Sequence, residues 1–167
     1  MQVSIRSALL RTLAVAGLAS AAFWAIAQPA AAADPRGRWV TESGNLEVEI
    51  ASCGAALCGT VTKVLGNRSM SSEGASMKPV DGRSPLGMKL LDGFVPVNAA
   101  DTERPTEWSG EIYNRENGKT YRCRMALGNG TDASGQLVLR AYVGIPLFGK
   151  TQHWQRVTAD AGVQAPN

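Results

Sequence analysis

Hydrophobic and polar residues alternate along much of the second half of the chain. Because side chains point in turn to opposite faces of a β-strand, this alternation predicts antiparallel strands with one buried and one solvated face. Four such strands are predicted between Trp108 and Arg156. The positions predicted to face the interior are Trp108, Gly110, Ile112, Tyr121, Cys123, Met125, Leu127, Leu137, Leu139, Ala141 and Val143.

Turn-forming residues separate the predicted strands. Asn117-Gly118 favours a tight hairpin, since both residue types tolerate positive φ. The Gly-rich residues 128–135 and the connection 144–149 mark the next two boundaries. The four strands are therefore predicted to follow one another as an antiparallel meander.

The first half of the chain continues the pattern less regularly. Alternation in residues 46–50 predicts one strand, and residues 86–90 predict a shorter one. Residues 66–85 lie between them, lack periodicity and are rich in Gly, Ser, Pro and charges, which is typical of a disordered insertion or of a lid and favours disorder. With about eight strands and no long helix, the pattern is typical of a sandwich or a closed up-and-down barrel.

The N-terminus has the three parts of a secretory signal. Arg6 and Arg11 precede the apolar run 12–26, and small residues follow it. Cleavage is predicted after Ala33, or alternatively after Ala27. A membrane anchor would need about 20 apolar residues, and this run is shorter. The sequence therefore predicts a periplasmic or secreted protein.

The leader also changes the charge and the domain boundaries. The prediction is a signal peptide at 1–33, one domain at 34–158, a flexible tail at 159–167, and no transmembrane segment after signal removal. Two of the 17 basic residues lie in the leader, so the mature chain, with all 14 acidic residues, is close to neutral. Since it has no basic stripe with interleaved aromatics, no nucleic-acid partner is predicted.

All three cysteines lie beyond the leader. Cys53 and Cys58 flank a predicted turn, and in an oxidising compartment they favour a disulfide that pins the hairpin. Four residues separate them, whereas a redox pair has two, and the remaining Cys123 and His153 show no metal-ligand spacing. We predict no metal and no cofactor, with Cys123 as a buried thiol.

The two ends of the domain resemble those of lipocalins. Gly37-Arg38-Trp39 opens the first predicted strand, and Trp154 and Arg156 close the last one. In lipocalins a Gly-x-Trp packs beneath an Arg near the final strand, which makes Arg156 the candidate to stack on Trp39. A guanidinium on an indole would join the first and last strands at the barrel base.

A longer set of motifs resembles one bacterial family. In order, they are Gly37-Arg38-Trp39, Cys53-Gly54, Leu57-Cys58-Gly59, Ile112-Tyr113, Gly118-Lys119-Thr120-Tyr121, Tyr142-Val143-Gly144, Gly149-Lys150-Thr151-Gln152 and Trp154-Gln155-Arg156. Together they are similar to the domain-of-unknown-function family 2147 of small secreted proteins. The resemblance implies an all-β, lipocalin-like, antiparallel up-and-down barrel of about eight strands, and it implies export rather than an activity.

Two functions fit such a barrel. A barrel of eight strands can hold one small ligand, and the first hypothesis is a pocket for a small apolar or lipid-like molecule. Its predicted lining is Met88, Trp108, Ile112, Tyr121, Met125 and Leu139. In the alternative, these residues fill the barrel, and the protein is a structural or interaction module that uses the apolar loop 144–149, with an oligomer as one outcome.

No catalytic constellation accompanies these residues. The sequence has no nucleophile elbow, phosphate loop or metal-ligand set. The parity of the last strand places its single histidine, His153, on the face opposite Trp154. The prediction is that the protein is not an enzyme.

Overall fold

The described residues form a closed barrel. The computed structural model describes residues 34–98, 105–128 and 135–157, so the predicted signal peptide and tail lie outside them. The strands are β1 (Gly37–Val40), β2 (Leu46–Cys53), β3 (Ala56–Val64), β4 (Lys89–Pro96), β5 (Glu107–Asn114), β6 (Lys119–Gly128), β7 (Gln136–Tyr142) and β8 (Lys150–Arg156). Each pairs antiparallel with the next and β8 returns to β1, which confirms the predicted up-and-down barrel.

The interior of the barrel holds the alternating apolar residues. Trp108 on β5 pairs with Met125 on β6, and Met125 pairs with Leu139 on β7, so these three side chains lie at one level of the core. All three are almost fully buried. Among the described ranges, no helix is long and apolar enough to cross a membrane.

Two predicted strands extend beyond the ends that the structure shows. Val143 was predicted to be an interior strand residue, but β7 ends at Tyr142, and Val143 is 76% exposed at the rim of the cavity described below. The strand predicted from residue 86 begins at Lys89, which leaves Leu86 exposed. Alternation continues only as long as the neighbouring strand supplies hydrogen bonds, and both positions lie where the ladder has ended.

The β5–β6 hairpin is wider than the pair Asn117-Gly118 predicted. β5 ends at Asn114, and residues 115–118 form the turn before β6. Gly118 has a positive φ of 69°. Asn117 does not, since all residues with positive φ in the described chain are glycines. The Asn114 carboxamide oxygen accepts from the backbone N–H of Glu116 at 2.8 Å and fixes this turn instead.

The barrel closes where its first and last strands meet. Trp39 on β1 is fully buried and lies opposite Arg156 on β8 in the ladder. The Arg156 guanidinium lies 4.1 Å from the centre of the Trp39 ring. It also donates to the carbonyls of Arg36 and Asp34 at 2.9 and 2.7 Å, so the residues before β1 are held across the barrel base. The structure therefore places these two side chains as the resemblance implies.

The three cysteines form one disulfide and one buried thiol, as predicted. Cys53 and Cys58 form a disulfide across the β2–β3 hairpin, with their Cα atoms 5.8 Å apart. A carboxylate oxygen of Asp92 lies 3.2 Å from the Cys58 sulfur, a contact without a shared proton because a disulfide has none to donate. Cys123 is fully buried, and burial raises the pKa of its thiol to about 12. It therefore remains a neutral core side chain.

Gly110 makes room for the core. A Cβ there would lie 2.6 Å from Cδ2 of Phe94 and 2.7 Å from the Asp92 carbonyl oxygen. We expect Gly110→Ala to lower the free energy of unfolding by about 1–3 kcal/mol because the Phe94 ring has to shift. Gly82→Ala is the matched control, since its added methyl group meets no atom within 4 Å. Urea unfolding measures both, and equal stability of the two variants would contradict this packing.

Candidate functional site

One end of the barrel contains a cavity. Because the strands alternate in direction, the connections β1–β2, β3–β4, β5–β6 and β7–β8 all lie at this end, called the open end here. The cavity has a volume of about 500 Å³ and is lined from all four connections. Ligand pockets in proteins measure about 300–1,000 Å³, so this volume accommodates a small organic molecule.

The wall of the cavity combines apolar and polar groups. Its apolar residues are Leu46, Met70, Met77, Leu90, Ile112, Ala141, Val143, Phe148 and Trp154. Its polar and amphipathic residues are Thr41, Ser43, Asn45, Tyr113, Asn114, Arg115, Asn117, Tyr121, Tyr142, Lys150 and Gln152. Among the described residues, the lining therefore includes two cationic side chains and no carboxylate.

Five of the six predicted ligand residues lie inside the barrel, at two different depths. Ile112 and Tyr121 face each other across β5 and β6 and line the cavity. Trp108, Met125 and Leu139 do not line it and belong to the packed core, with at most 4% of each residue exposed. Parity places all five inside the barrel, but it does not distinguish the filled part from the hollow part.

Met88 lies elsewhere. It packs against the core and borders a second depression rather than the cavity. Charged residues border this depression as well, among them Lys89, Asp92 and Glu111. Met88 precedes the first residue of β4, and so the strand parity used to place it does not apply there.

Residues 66–85 cover part of the open end. Two bonds join this segment to Asn45 of the β1–β2 turn: the Asn45 side chain donates to the Arg68 carbonyl at 2.7 Å and accepts from the Arg68 N–H at 2.8 Å. Met77, which belongs to this segment, is buried and lines the cavity together with Met70. The composition favoured disorder over a lid, whereas the structure places the segment as a cover.

Glu116 forms the second attachment of this cover. Its carboxylate accepts from the hydroxyls of Ser69 and Ser71 and from the backbone N–H of Met70, at 2.5, 2.7 and 3.1 Å. The two serine hydroxyls, followed by the backbone donors, hold the pKa of Glu116 below its ordinary value. The ionised carboxylate is therefore the form that holds the cover.

Acid should release this attachment. Because the pKa of Glu116 is lowered in the folded protein, its contribution is complete above the ordinary value of 4.5 and is lost as the pH falls through the lowered pKa. We expect the amides of residues 69–72 to lose hydrogen-exchange protection in this acidic range. Glu116→Gln should weaken their protection already at neutral pH, whereas Glu73→Gln in the same segment should not. Equal protection of the two variants would contradict this role.

A third attachment joins the cover to β5. The Tyr113 hydroxyl donates to Oδ2 of Asp81 at 3.0 Å, and Arg83 binds the same oxygen at 2.6 Å. The Arg83 hydrogen bond is the main cause that lowers the pKa of Asp81, with Tyr113 contributing less. Since Tyr113 also lines the cavity, this bond joins the cover to the cavity wall.

Arg115 is the one strongly buried cation in the described cavity wall. Only 8% of the residue is exposed, although it lies in the β5–β6 turn. Its Nε is inaccessible to solvent and has no hydrogen-bond partner in the described part of the chain. The Arg115 carbonyl accepts from the N–H of Val80, so the cover packs directly over this turn.

Comparison with known proteins identifies the family. A family model described as "Uncharacterized protein conserved in bacteria (DUF2147)" matches residues 37–156. The chain belongs to this family. The matched range begins with β1 and ends with β8, so it coincides with the closed barrel. The family resemblance stated from the motifs is thereby confirmed.

A solved structure supports the fold of this DUF2147 chain. Protein HP1028 from the human pathogen Helicobacter pylori, described as belonging to the lipocalin family, aligns with a TM-score of 0.53. The identity is 20%, and the alignment covers 75% of this chain and 84% of that chain. This likeness confirms a lipocalin-like barrel and concerns the fold alone. No curated protein shows significant similarity to the chain.

Sequence reasoning missed much of the cavity wall of this DUF2147 protein. Arg115 lies between two predicted strands, and Met70 and Met77 lie in the aperiodic residues 66–85, so strand parity assigned no position to them. The one sequence signal for the two methionines is an apolar side chain in a segment of mostly small and polar residues, and Arg115 has no such signal. The sequence does not predict that Met77 and Arg115 are buried. Their burial arises only when residues 66–85 pack over the open end.

Proposed function

We propose that the protein is an exported binding protein that holds one small, mostly apolar ligand at the open end of its barrel. The observation that carries this proposal is the cavity of about 500 Å³ with its largely apolar walls. The opposite end supports the proposal, because closure by Trp39 and Arg156 leaves the ligand one side from which to enter. The cover over the open end is the segment that would move when a ligand enters.

The periplasm is the proposed location. The three-part leader supports it, and so does the disulfide between Cys53 and Cys58, since disulfides persist in oxidising compartments. An apolar ligand in an aqueous compartment gains from a binding protein, because burial removes its surface from water. A carrier of sparingly soluble molecules is therefore the role that these features favour.

Native mass spectrometry tests the proposal. The protein is expressed from its full-length sequence, purified from the periplasm, and compared before and after denaturing extraction. We expect a folded species heavier than the processed polypeptide that releases an apolar molecule on denaturation. A bare mass, together with no binding of the neutral fluorescent probe N-phenyl-1-naphthylamine, would contradict the proposal.

A second function is supported by the rim of the open end. The 3₁₀ turn Pro146–Phe148 and the residue before it expose large apolar side chains: Ile145 is 53% exposed, Leu147 73% and Phe148 80%. Contiguous exposed apolar groups are typical of an interaction surface. If the protein is an interaction module, the purified sample should be a dimer that Leu147→Asp dissociates. A monomer unaffected by this change would exclude self-association through the rim.

We propose no catalytic role. His153, the single histidine, is exposed on β8 and hydrogen-bonds to Gln136 at 3.0 Å. It does not line the cavity, so it would not reach a molecule bound there. Loss of a turnover activity in His153→Ala would overturn this part of the proposal.

A further inference from the structure

Within the described residues, no carboxylate forms an ion pair with the cationic Arg115 of the cavity wall. Arg115 is more than nine-tenths buried, and its guanidinium forms no ion pair within the described residues. Guanidinium groups retain their charge in proteins, and a buried charge without a partner is strongly unfavourable. An anion bound in the cavity would offset the cost of burying this charge.

The nearby carboxylates are engaged elsewhere. Glu116, the next residue, is bonded to the cover through Ser69 and Ser71. Asp81 is bonded through Oδ2 to Arg83 and to the Tyr113 hydroxyl, and its buried Oδ1 forms no hydrogen bond within the described residues. Neither acidic residue lines the cavity, so neither supplies the missing negative charge at its wall.

A second cation and several neutral donors accompany Arg115. Lys150 lines the same cavity at the start of β8, and its ammonium donates to the Met70 carbonyl at 3.4 Å. Tyr121 and Asn117 also line the cavity, joined by a hydrogen bond of 2.8 Å from the Asn117 amide to the Tyr121 hydroxyl. This wall therefore offers N–H and O–H donors around a positive charge.

We propose that the ligand is an amphipathic anion whose oxyanion head group pairs with Arg115 and whose apolar part lies against the apolar walls. This inference rests on the proposed function and names the chemical class of its ligand. The planar fork of a guanidinium matches a carboxylate or a phosphate with two parallel hydrogen bonds. The apolar walls, among them Ile112 and Trp154, receive the rest of the molecule.

Displacement titrations with matched twelve-carbon probes test this proposal. Purified protein expressed from the full-length sequence is loaded with neutral N-phenyl-1-naphthylamine, which is then displaced by dodecanoate, dodecyl phosphate or dodecan-1-ol below their micellar concentrations. We expect at least one of the two anions to bind about 10- to 100-fold more tightly than the alcohol. The two anions distinguish a carboxylate from a phosphate head group.

Variants assign this preference to Arg115. Arg115→Met should remove the preference for the anion over dodecan-1-ol, with both affinities measured in the same variant. Arg115→Lys should retain part of it. Arg122→Met is the matched control, since Arg122 is exposed on β6 and does not line the cavity, and it should retain the full preference. If Arg115→Met does not fold, the anion preference of the wild-type protein tests the ligand class, and a reduced preference in Arg115→Lys tests the role of Arg115.

The outcomes separate the two proposals. Equal affinity of the wild-type protein for the alcohol and both anions would overturn the assignment of an anionic ligand and leave the binding function intact. An undiminished preference for the anion over the alcohol in Arg115→Met would overturn the role of Arg115. If neither the fluorescent probe nor any twelve-carbon probe binds, both the binding function and this inference fail.

Discussion

Replacing Trp39 with alanine is expected to lower the free energy of unfolding by about 3–5 kcal/mol. The indole is fully buried, its N–H donates to the Pro35 carbonyl at 2.8 Å, and its ring carries the Arg156 guanidinium. Removal leaves a cavity in the core and an unpartnered Pro35 carbonyl. The Arg156 guanidinium loses its aromatic contact while keeping its bonds to the Arg36 and Asp34 carbonyls. Urea unfolding followed by far-UV circular dichroism measures the loss.

Two further variants make this result specific. Phe148→Ala removes an aromatic ring that is 80% exposed and should change the stability by no more than about 0.5 kcal/mol. A double-mutant cycle with Arg156→Ala isolates the contact between the ring and the guanidinium, for which we expect a coupling of about 0.5–1 kcal/mol. Strict additivity would mean that the stacking does not stabilise the closure.

Replacing Ala141 with tryptophan is expected to abolish ligand binding while the barrel stays folded. Ala141 lies on the interior face of β7, is half-buried and lines the cavity, so a larger side chain extends into the space that the ligand needs. We expect the affinity for N-phenyl-1-naphthylamine to fall by at least about 100-fold, since overlap with the ligand excludes it from the pocket. Fluorescence titration measures the affinity, and far-UV circular dichroism verifies the fold.

The same substitution on the outside of the barrel is the control. Ala126 lies on β6 at a position whose parity is opposite to that of Met125, so its side chain points to the outer face. Ala126→Trp should bind the probe as the wild-type protein does. If Ala141→Trp and Ala126→Trp bind equally well, the cavity at the open end is not the binding site.

The two hypotheses for the barrel interior describe different parts of one structure. Around Trp108, Met125 and Leu139 the barrel is filled, as the interaction-module hypothesis expected. Around Ile112 and Tyr121 it is hollow, as the ligand hypothesis expected. A tightly packed base of this kind supplies stability, which leaves the open end able to retain space for a ligand.

Alternation alone was sufficient to predict the meander. Side-chain parity is a local property of a strand, so it placed Tyr121 and Met125 on the same interior face without knowledge of their neighbours. It does not encode depth: four residues span about 13 Å along a strand, enough to separate the cavity wall from the packed core. This is why only part of the predicted pocket lies in the cavity.

The sequence by itself determined the strand order, the interior faces, the disulfide and, through the family motifs, the lipocalin-like barrel. These features depend on short-range alternation, on turn residues and on recognisable spacings. The tertiary structure alone decided which end is hollow, that residues 66–85 cover it and that Arg115 is buried beneath that cover. Each of these depends on contacts between segments distant in sequence, and a turn arginine that reads as solvated becomes buried only when another segment packs over it.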